Sequence, residues 1–127
     1  MTDLAPIIEQ LADDDSRIRL QAVQALSKTG DREALSHLEN MLSDESIAVV
    51  RASVLAIGKL GDCDTLPLLT PLLEHQDLWV RKAVVQSIGL SKCYDAVPIL
   101  VQLLGDESLD ALIREALIAL KVDPDFF

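Results

Sequence analysis

Apolar residues along this 127-residue chain recur three and four positions apart, in paired stretches divided by short polar breaks. That spacing is the face of an α-helix. Leu35, Leu38 and Leu42 mark one such face, and Ile18, Ala22, Ala25 and Leu26 mark another. The pattern predicts helices over 4–12 and 16–28, 33–42 and 47–60, 65–74 and 78–90, and 95–104 and 109–121. The stretch from Leu26 to Asp31, through Lys28 and Gly30, returns 31 residues later from Ile57 to Asp62, through Lys59 and Gly61. It returns again, degraded, from Ile88 through Gly89 to Cys93. The same offset relates Leu35, Leu66 and Val97, and Leu11, Leu42, Leu73 and Leu104. Four units follow, at 1–30, 31–61, 62–92 and 93–127, within one domain. The last runs one residue longer, so that Leu120 takes the place of Ile88. A two-helix hairpin cannot bury its apolar face alone, and stacking its neighbours supplies the missing core. The expected fold class is all-α, an α-solenoid with a period of about 31 residues.

The polar breaks agree with this phase. Asp31 and Asp62 follow a glycine where they can cap the next helix, and Ser16, Ser46 and Ser108 precede the second helices. Pro67 and Pro98 fall near helix starts, where a missing amide donor is tolerated. Pro71 falls inside a first helix and should kink it or loosen its first turn. Two columns of mostly small residues, Ala22, Ser53, Val84 and Ala116, then Ala25, Ala56, Ser87 and Ala119, should let second helices approach closely.

On these residues the chain resembles the HEAT-repeat proteins, and within them the short PBS-lyase HEAT-like repeats. That subgroup typically reads as an Asp-rich turn, a Val-Arg pair, alanines, then Leu-Gly-x-Leu-Gly-Asp. Here the matching segments run from Ile18-Arg19 to Gly30-Asp31, from Val49-Val50-Arg51 to Gly61-Asp62, from Val80-Arg81 to Ile88-Gly89, and from Ile113-Arg114 to Leu120. The resemblance implies that Arg19 and Arg81 pair with acids of the preceding turn. Val50 and Ile113 hold that column in the other two units, so Arg51 and Arg114, one residue on and about 100° around the helix, should face outward. Members of the subgroup include accessory subunits that attach or detach bilins on cyanobacterial light-harvesting proteins, and adaptors in the disassembly of those antennae.

In such a fold the second helices line the inner surface. The residues expected to project there are Leu20, Arg51, Lys82 and Arg114, with Gln24, Leu55, Gln86 and Ile118 one turn further on. Basic heads among apolar and amide side chains suit recognition of a protein, although Leu55 and Ile118 can equally pack on the adjacent helix. Trp79, the sole tryptophan, is a candidate anchor for a partner. Its simpler role is to close the gap between units three and four. Tyr94 is expected at the solvent edge. The function expected is a non-catalytic protein interaction module, an adaptor or assembly factor. The alternative is a component of bilin lyase or phycobilisome-turnover machinery.

The formal net charge of −10 argues against nucleic acid as a partner. His37 and His75 share no column and have no second ligand at metal spacing, so both are expected as exposed polar residues, with no zinc site. Asp13-Asp14-Asp15 lacks the alternation of a calcium loop. No phosphate loop, nucleophile elbow or Cys-x-x-Cys pair is present, so neither an enzyme nor a cofactor is expected. No leader or membrane-length apolar run occurs, and the expectation is a cytoplasmic protein without membrane contact. Cys63 and Cys93 hold equivalent places in neighbouring units, where stacking at roughly 10 Å would leave them as free thiols suited to a reducing compartment. Ile8 and the terminal Phe126-Phe127 pair sit at the ends of the stack. They lead to an expectation of a monomer, or of a weak homodimer formed through an end face.

Overall fold

The computed structural model of the protein describes residues 3–126. Eight α-helices alternate between two layers. The first-helix layer holds α1 (Ala5–Gln10), α3 (Leu35–Asn40), α5 (Leu66–Leu69) and α7 (Val97–Leu103). The second-helix layer holds the longer α2 (Ser16–Thr29), α4 (Ile47–Leu60), α6 (Leu78–Ser91) and α8 (Asp110–Ala119). Each first helix packs on its own second helix, and α2, α4, α6 and α8 pack on one another in chain order. The result is the expected solenoid of paired helices. Its core runs between the layers through Leu26, Leu38, Ile57, Leu69, Ile88, Leu100 and Leu117, all with almost no exposure.

The first helices are shorter than their periodicity predicts because 3-10 turns extend them. Arg32–Ala34 and Met41–Ser43 flank α3, Cys63–Thr65 and Thr70–Glu74 flank α5, and Tyr94–Ala96 precedes α7. Pro67 and Pro98 occupy the first turns of α5 and α7. Pro71 acts as expected: α5 stops at Leu69 and the chain continues as a 3-10 turn, since proline has no amide to close the α-helical ladder.

The caps are aspartates more than serines. Asp31 and Asp62 accept from the amides of Glu33 and Asp64, as expected. At the second helices, however, Asp15 caps α2 by accepting from Arg17 N, and Asp77 caps α6 by accepting from Trp79 N and Val80 N. Ser16 is already helical, Ser46 stands at the cap of α4 without a side-chain bond, and Ser108 gives its hydroxyl to Asp106. The carboxylate offers two charged acceptors to the positive end of a helix, where a hydroxyl offers one weaker one.

The arginine column is built differently from the expectation. Arg19 is buried, donating through Nη1 to the carbonyls of Asp13 and Asp14 at 2.8 and 3.0 Å. Its Nε and Nη2 grip Asp44 of the following unit, at 2.9 and 3.2 Å. The preceding turn therefore supplies carbonyls and the next turn the carboxylate, so the side chain ties two units together. Arg81 keeps only the carbonyl half, donating to His75 and Gln76 at 2.6 and 3.1 Å. In the next turn Asp106 is engaged by the hydroxyl and amide of Ser108, which hold its carboxyl below the usual carboxylate range. Arg19→Met is expected to lower the urea midpoint much more than Arg17→Met, because Arg17 pairs with Asp15 in solvent, at 3.0 Å. Equal losses would contradict an inter-unit role for Arg19.

The cysteines correct the expectation outright. Cys63 and Cys93 form a disulfide, with their Cα atoms 5.0 Å apart. Both lie in turns just beyond the C-terminal ends of α4 and α6, which approach unusually closely. Ser87 Oγ donates to the carbonyl of Val54 at 2.6 Å, and a Cβ on Gly58 would stand 2.7 Å from the Cα of Ser87. Helices drawn together at this end bring the following turns within disulfide reach, well inside the average spacing of stacked hairpins. The free-thiol argument for a reducing compartment goes with it. Among the described residues, no helix is long and apolar enough to cross a membrane.

Candidate functional site

Three second helices present side chains at matching heights on one surface. Along α2 these are Leu20, Gln24 and Lys28, along α4 Arg51, Leu55 and Lys59, and along α6 Lys82, Gln86 and Leu90. Steps of four residues, each about 6 Å of helix, keep every set on one face. Lys28, Lys59 and Leu90 form a third row, one four-residue step beyond the two predicted. Continuing the same four-residue step once more would have found them.

The surface is a trough of three joined hollows. A hollow of about 350 Å³ is lined by Leu55, Gln86, Leu90, Leu112 and Glu115, over the backbone of Gly89. Gln86 and Leu112 also line a second hollow of about 270 Å³, shared with Arg51, Trp79 and Lys82. Leu55 and Leu90 also line the third, with Gln24, Lys28 and Lys59. Leu90 is 52% exposed and Trp79 is 55% exposed, so neither is spent on the core.

Trp79 therefore does not close the gap between units three and four. It stands at the start of α6 with the Arg51 guanidinium 5.3 Å and the Lys82 ammonium 4.6 Å from its ring centroid. Two cations share the negative face potential of one indole. Arg51 Nε is buried there without a hydrogen-bond partner. Arg51 thus leaves the buried arginine column, as expected, and lies along the trough. Val50, the residue in that column, is buried in the core.

The fourth unit departs from the grid. Arg114 is exposed but engaged, its Nε with Asp110 and its Nη1 with Asp125, both at 3.0 Å. These bonds hold the Asp110 carboxyl below the usual range. Ile118 is 61% exposed, so most of it is not packed on a neighbouring helix. Leu55 and Leu20 are half-buried, while Gln24 and Gln86 are exposed. Of the nine predicted residues, Gln24, Arg51, Leu55, Trp79, Lys82 and Gln86 line the trough, whereas Leu20, Arg114 and Ile118 line none of its hollows.

Elsewhere the chemistry is structural. His75 is half-buried, not exposed, and its Nδ1 accepts from Asp77 N at 3.0 Å. His37 is half-buried on α3, and Tyr94 is exposed as expected. Among the described residues one group of possible metal ligands occurs, Cys63, Cys93 and Asp95, and its sulfurs are bonded to each other. Ile8 is half-buried against the core, and the side chains of Phe126 and Phe127 lie outside the described part.

A sequence profile described as HEAT repeats matches residues 2–56 and 40–121. No curated protein sequence matches at a significant level. Among solved structures, the chain is similar to the complex of CpcE and CpcF of phycocyanin lyase from Nostoc sp. PCC7120. The TM-score is 0.80 at 26% identity, covering 94% of this chain and 54% of that one. It is also similar to human deoxyhypusine hydroxylase in complex with glycerol, with a TM-score of 0.79 at 20% identity, over 93% of this chain and 43% of that one. The second likeness is one of fold. The chain spans about half the length of the structures it matches.

Proposed function

The chain belongs to the HEAT-repeat family, and we propose that it is a non-catalytic scaffold that binds a protein partner through the trough of its second helices. The observation that carries this reading is the exposed Trp79 flanked by Arg51 and Lys82, beside the open apolar floor of Leu55, Leu90 and Leu112. Aromatic and arginine anchors around a desolvated apolar centre are the usual composition of an interface hot spot. Asp15, Asp31, Asp62, Asp77 and His75, by contrast, serve caps and turns, and Asp44 an inter-unit bond.

The likeness to the CpcE and CpcF complex supports a narrower form of this reading. In it the chain is one subunit of a bilin-lyase-type assembly and pairs with a second subunit, as CpcE and CpcF do in that complex. Visible absorbance that develops only when the chain, a second solenoid subunit, a bilin and a phycobiliprotein acceptor are mixed would support it. Unchanged spectra with and without the chain would remove it and leave the general scaffold.

The general reading is tested by affinity capture from a lysate of the source organism. Arg51→Glu/Lys82→Glu is expected to lose a partner that the unmodified protein retains. Arg114→Glu, whose wild-type guanidinium is already engaged by Asp110 and Asp125, is expected to keep it. Capture of the same proteins by all three forms would contradict a role for this face.

A further inference from the structure

The charge on the trough is out of keeping with the molecule. The chain carries 21 acids against 11 lysines and arginines. Among the described residues Arg17, Arg19, Arg32 and Arg114 are in ion pairs. The other seven are in none: Lys28, Arg51, Lys59 and Lys82 line the trough, whereas Arg81, Lys92 and Lys121 do not. Many of the acids sit in the turns and caps at the helix ends, and of the residues lining the three hollows only Glu115, on α8, is acidic, so the α2, α4 and α6 side of this surface is positive inside a negative protein.

The cations also have an order. Arg51 and Lys82 stand at one end of the trough and Lys28 and Lys59 at the other, with Leu55 and the Gln24 and Gln86 amides between. Arg51 and Lys59 are eight residues apart on α4, a rise of about 12 Å, and Leu55 is midway. An occupant that satisfies this pattern carries an anion at each end of a 12 Å span and an apolar side chain between. A helical segment does so with two acidic residues about two turns apart and a leucine-type residue halfway, all on one face. An acid at the Arg51 end would meet the Lys82 ammonium and displace part of the cation–indole contact, where unmatched charge now lies on Trp79.

We propose that the trough docks an acidic amphipathic helix of a protein partner, with its carboxylates on Arg51/Lys82 and Lys28/Lys59 and its apolar anchor against Leu55 and Leu90. This rests on the reading of the trough as a protein-binding face and adds the class of segment recognised.

The probe is a set of fluorescein-labelled synthetic helical peptides of roughly 18 residues, long enough to hold a helix once docked. They are identical except for two positions eight residues apart, filled by glutamate, glutamine or lysine, with leucine midway. Anisotropy titrations against the whole protein are expected to show the glutamate peptide binding at least about tenfold more tightly than the glutamine one, and the lysine peptide weakest. Arg51→Gln/Lys82→Gln and Lys28→Gln/Lys59→Gln should each remove most of that preference. Raising salt from about 0.05 to about 0.5 M should do the same.

Equal affinity for the glutamate and glutamine peptides, with both lost in Leu55→Asp, would overturn the acidic class while leaving the face as a binding surface. No binding of any peptide at about 1 mM would also overturn it, and the broader reading would then rest on the charge-reversal capture. Sedimentation showing a concentration-dependent dimer that Lys28→Gln/Lys59→Gln abolishes would make a second copy the occupant, and would overturn the proposal too.

Discussion

Treatment with a thiol reductant is expected to lower the unfolding free energy by about 3.5 kcal/mol, the loop-closure entropy for a cross-link of this span. The Cys63–Cys93 bond joins residues 30 positions apart, one short of the 31-residue repeat: it links the entry of unit three to the entry of unit four. In a solenoid each unit touches only its neighbours, so a staple across an interior unit restrains the repeat on which both halves depend. The loss is a large fraction of the roughly 5–15 kcal/mol that stabilises an ordinary domain. Cys63 is exposed while Cys93 is buried, so a reductant has one sulfur to attack without prior unfolding. Urea denaturation with and without reductant, and of Cys63→Ser/Cys93→Ser, measures the effect. An unchanged midpoint on reduction would show that the two cysteines add no restraint.

Gly58→Ala is expected to cost about 2–3 kcal/mol, from overpacking against backbone. The position is a helix interior, where alanine ordinarily gains about 1 kcal/mol over glycine. Here the added Cβ would lie 2.7 Å from the Cα of Ser87. Backbone cannot rotate away as a side-chain tip can, so α4 and α6 would have to separate. Separation would also break the bond from Ser87 Oγ to the Val54 carbonyl and widen the gap that the disulfide spans. Gly89→Ala is the graded control, because its Cβ would meet Ala116 Cα at 3.1 Å, a distance small shifts can relieve. A urea midpoint for Gly58→Ala equal to or above wild type would contradict the close α4–α6 approach.

Much of this was legible in the sequence, because a repeat states its own register. The 31-residue offset placed Leu38, Leu69 and Leu100 in one buried column and set the helix bounds to within a few residues, and Pro71 marked the break in its helix. What escaped depends on geometry that spacing alone does not carry. The average distance between stacked hairpins hid the disulfide, since Gly58 and Ser87 shorten that distance locally. Asp15 and Asp77 took the capping roles because the register of a cap shifts by one residue with no change in periodicity. Arg19 found its carboxylate forward, on Asp44, while the preceding turn supplied only carbonyls, a choice made by how units stack. The trough was half found. Arg51, Leu55, Lys82 and Gln86 followed from their columns, whereas Lys28, Lys59 and Leu90 required one more helical turn. Trp79 stood as both a candidate anchor and a packing residue, because a lone aromatic gives no sign of which side it faces.

The most direct test of a trough-binding scaffold is site-specific photo-crosslinking to the partner retained in lysate capture. A benzophenone amino acid would replace Gln24 or Gln86 in the trough, or Glu39 or Gln102, which are exposed on the first helices α3 and α7. Adducts from Gln24 and Gln86, and none from Glu39 and Gln102, are the predicted result. Adducts from the first-helix positions alone would contradict it and move recognition to the opposite layer.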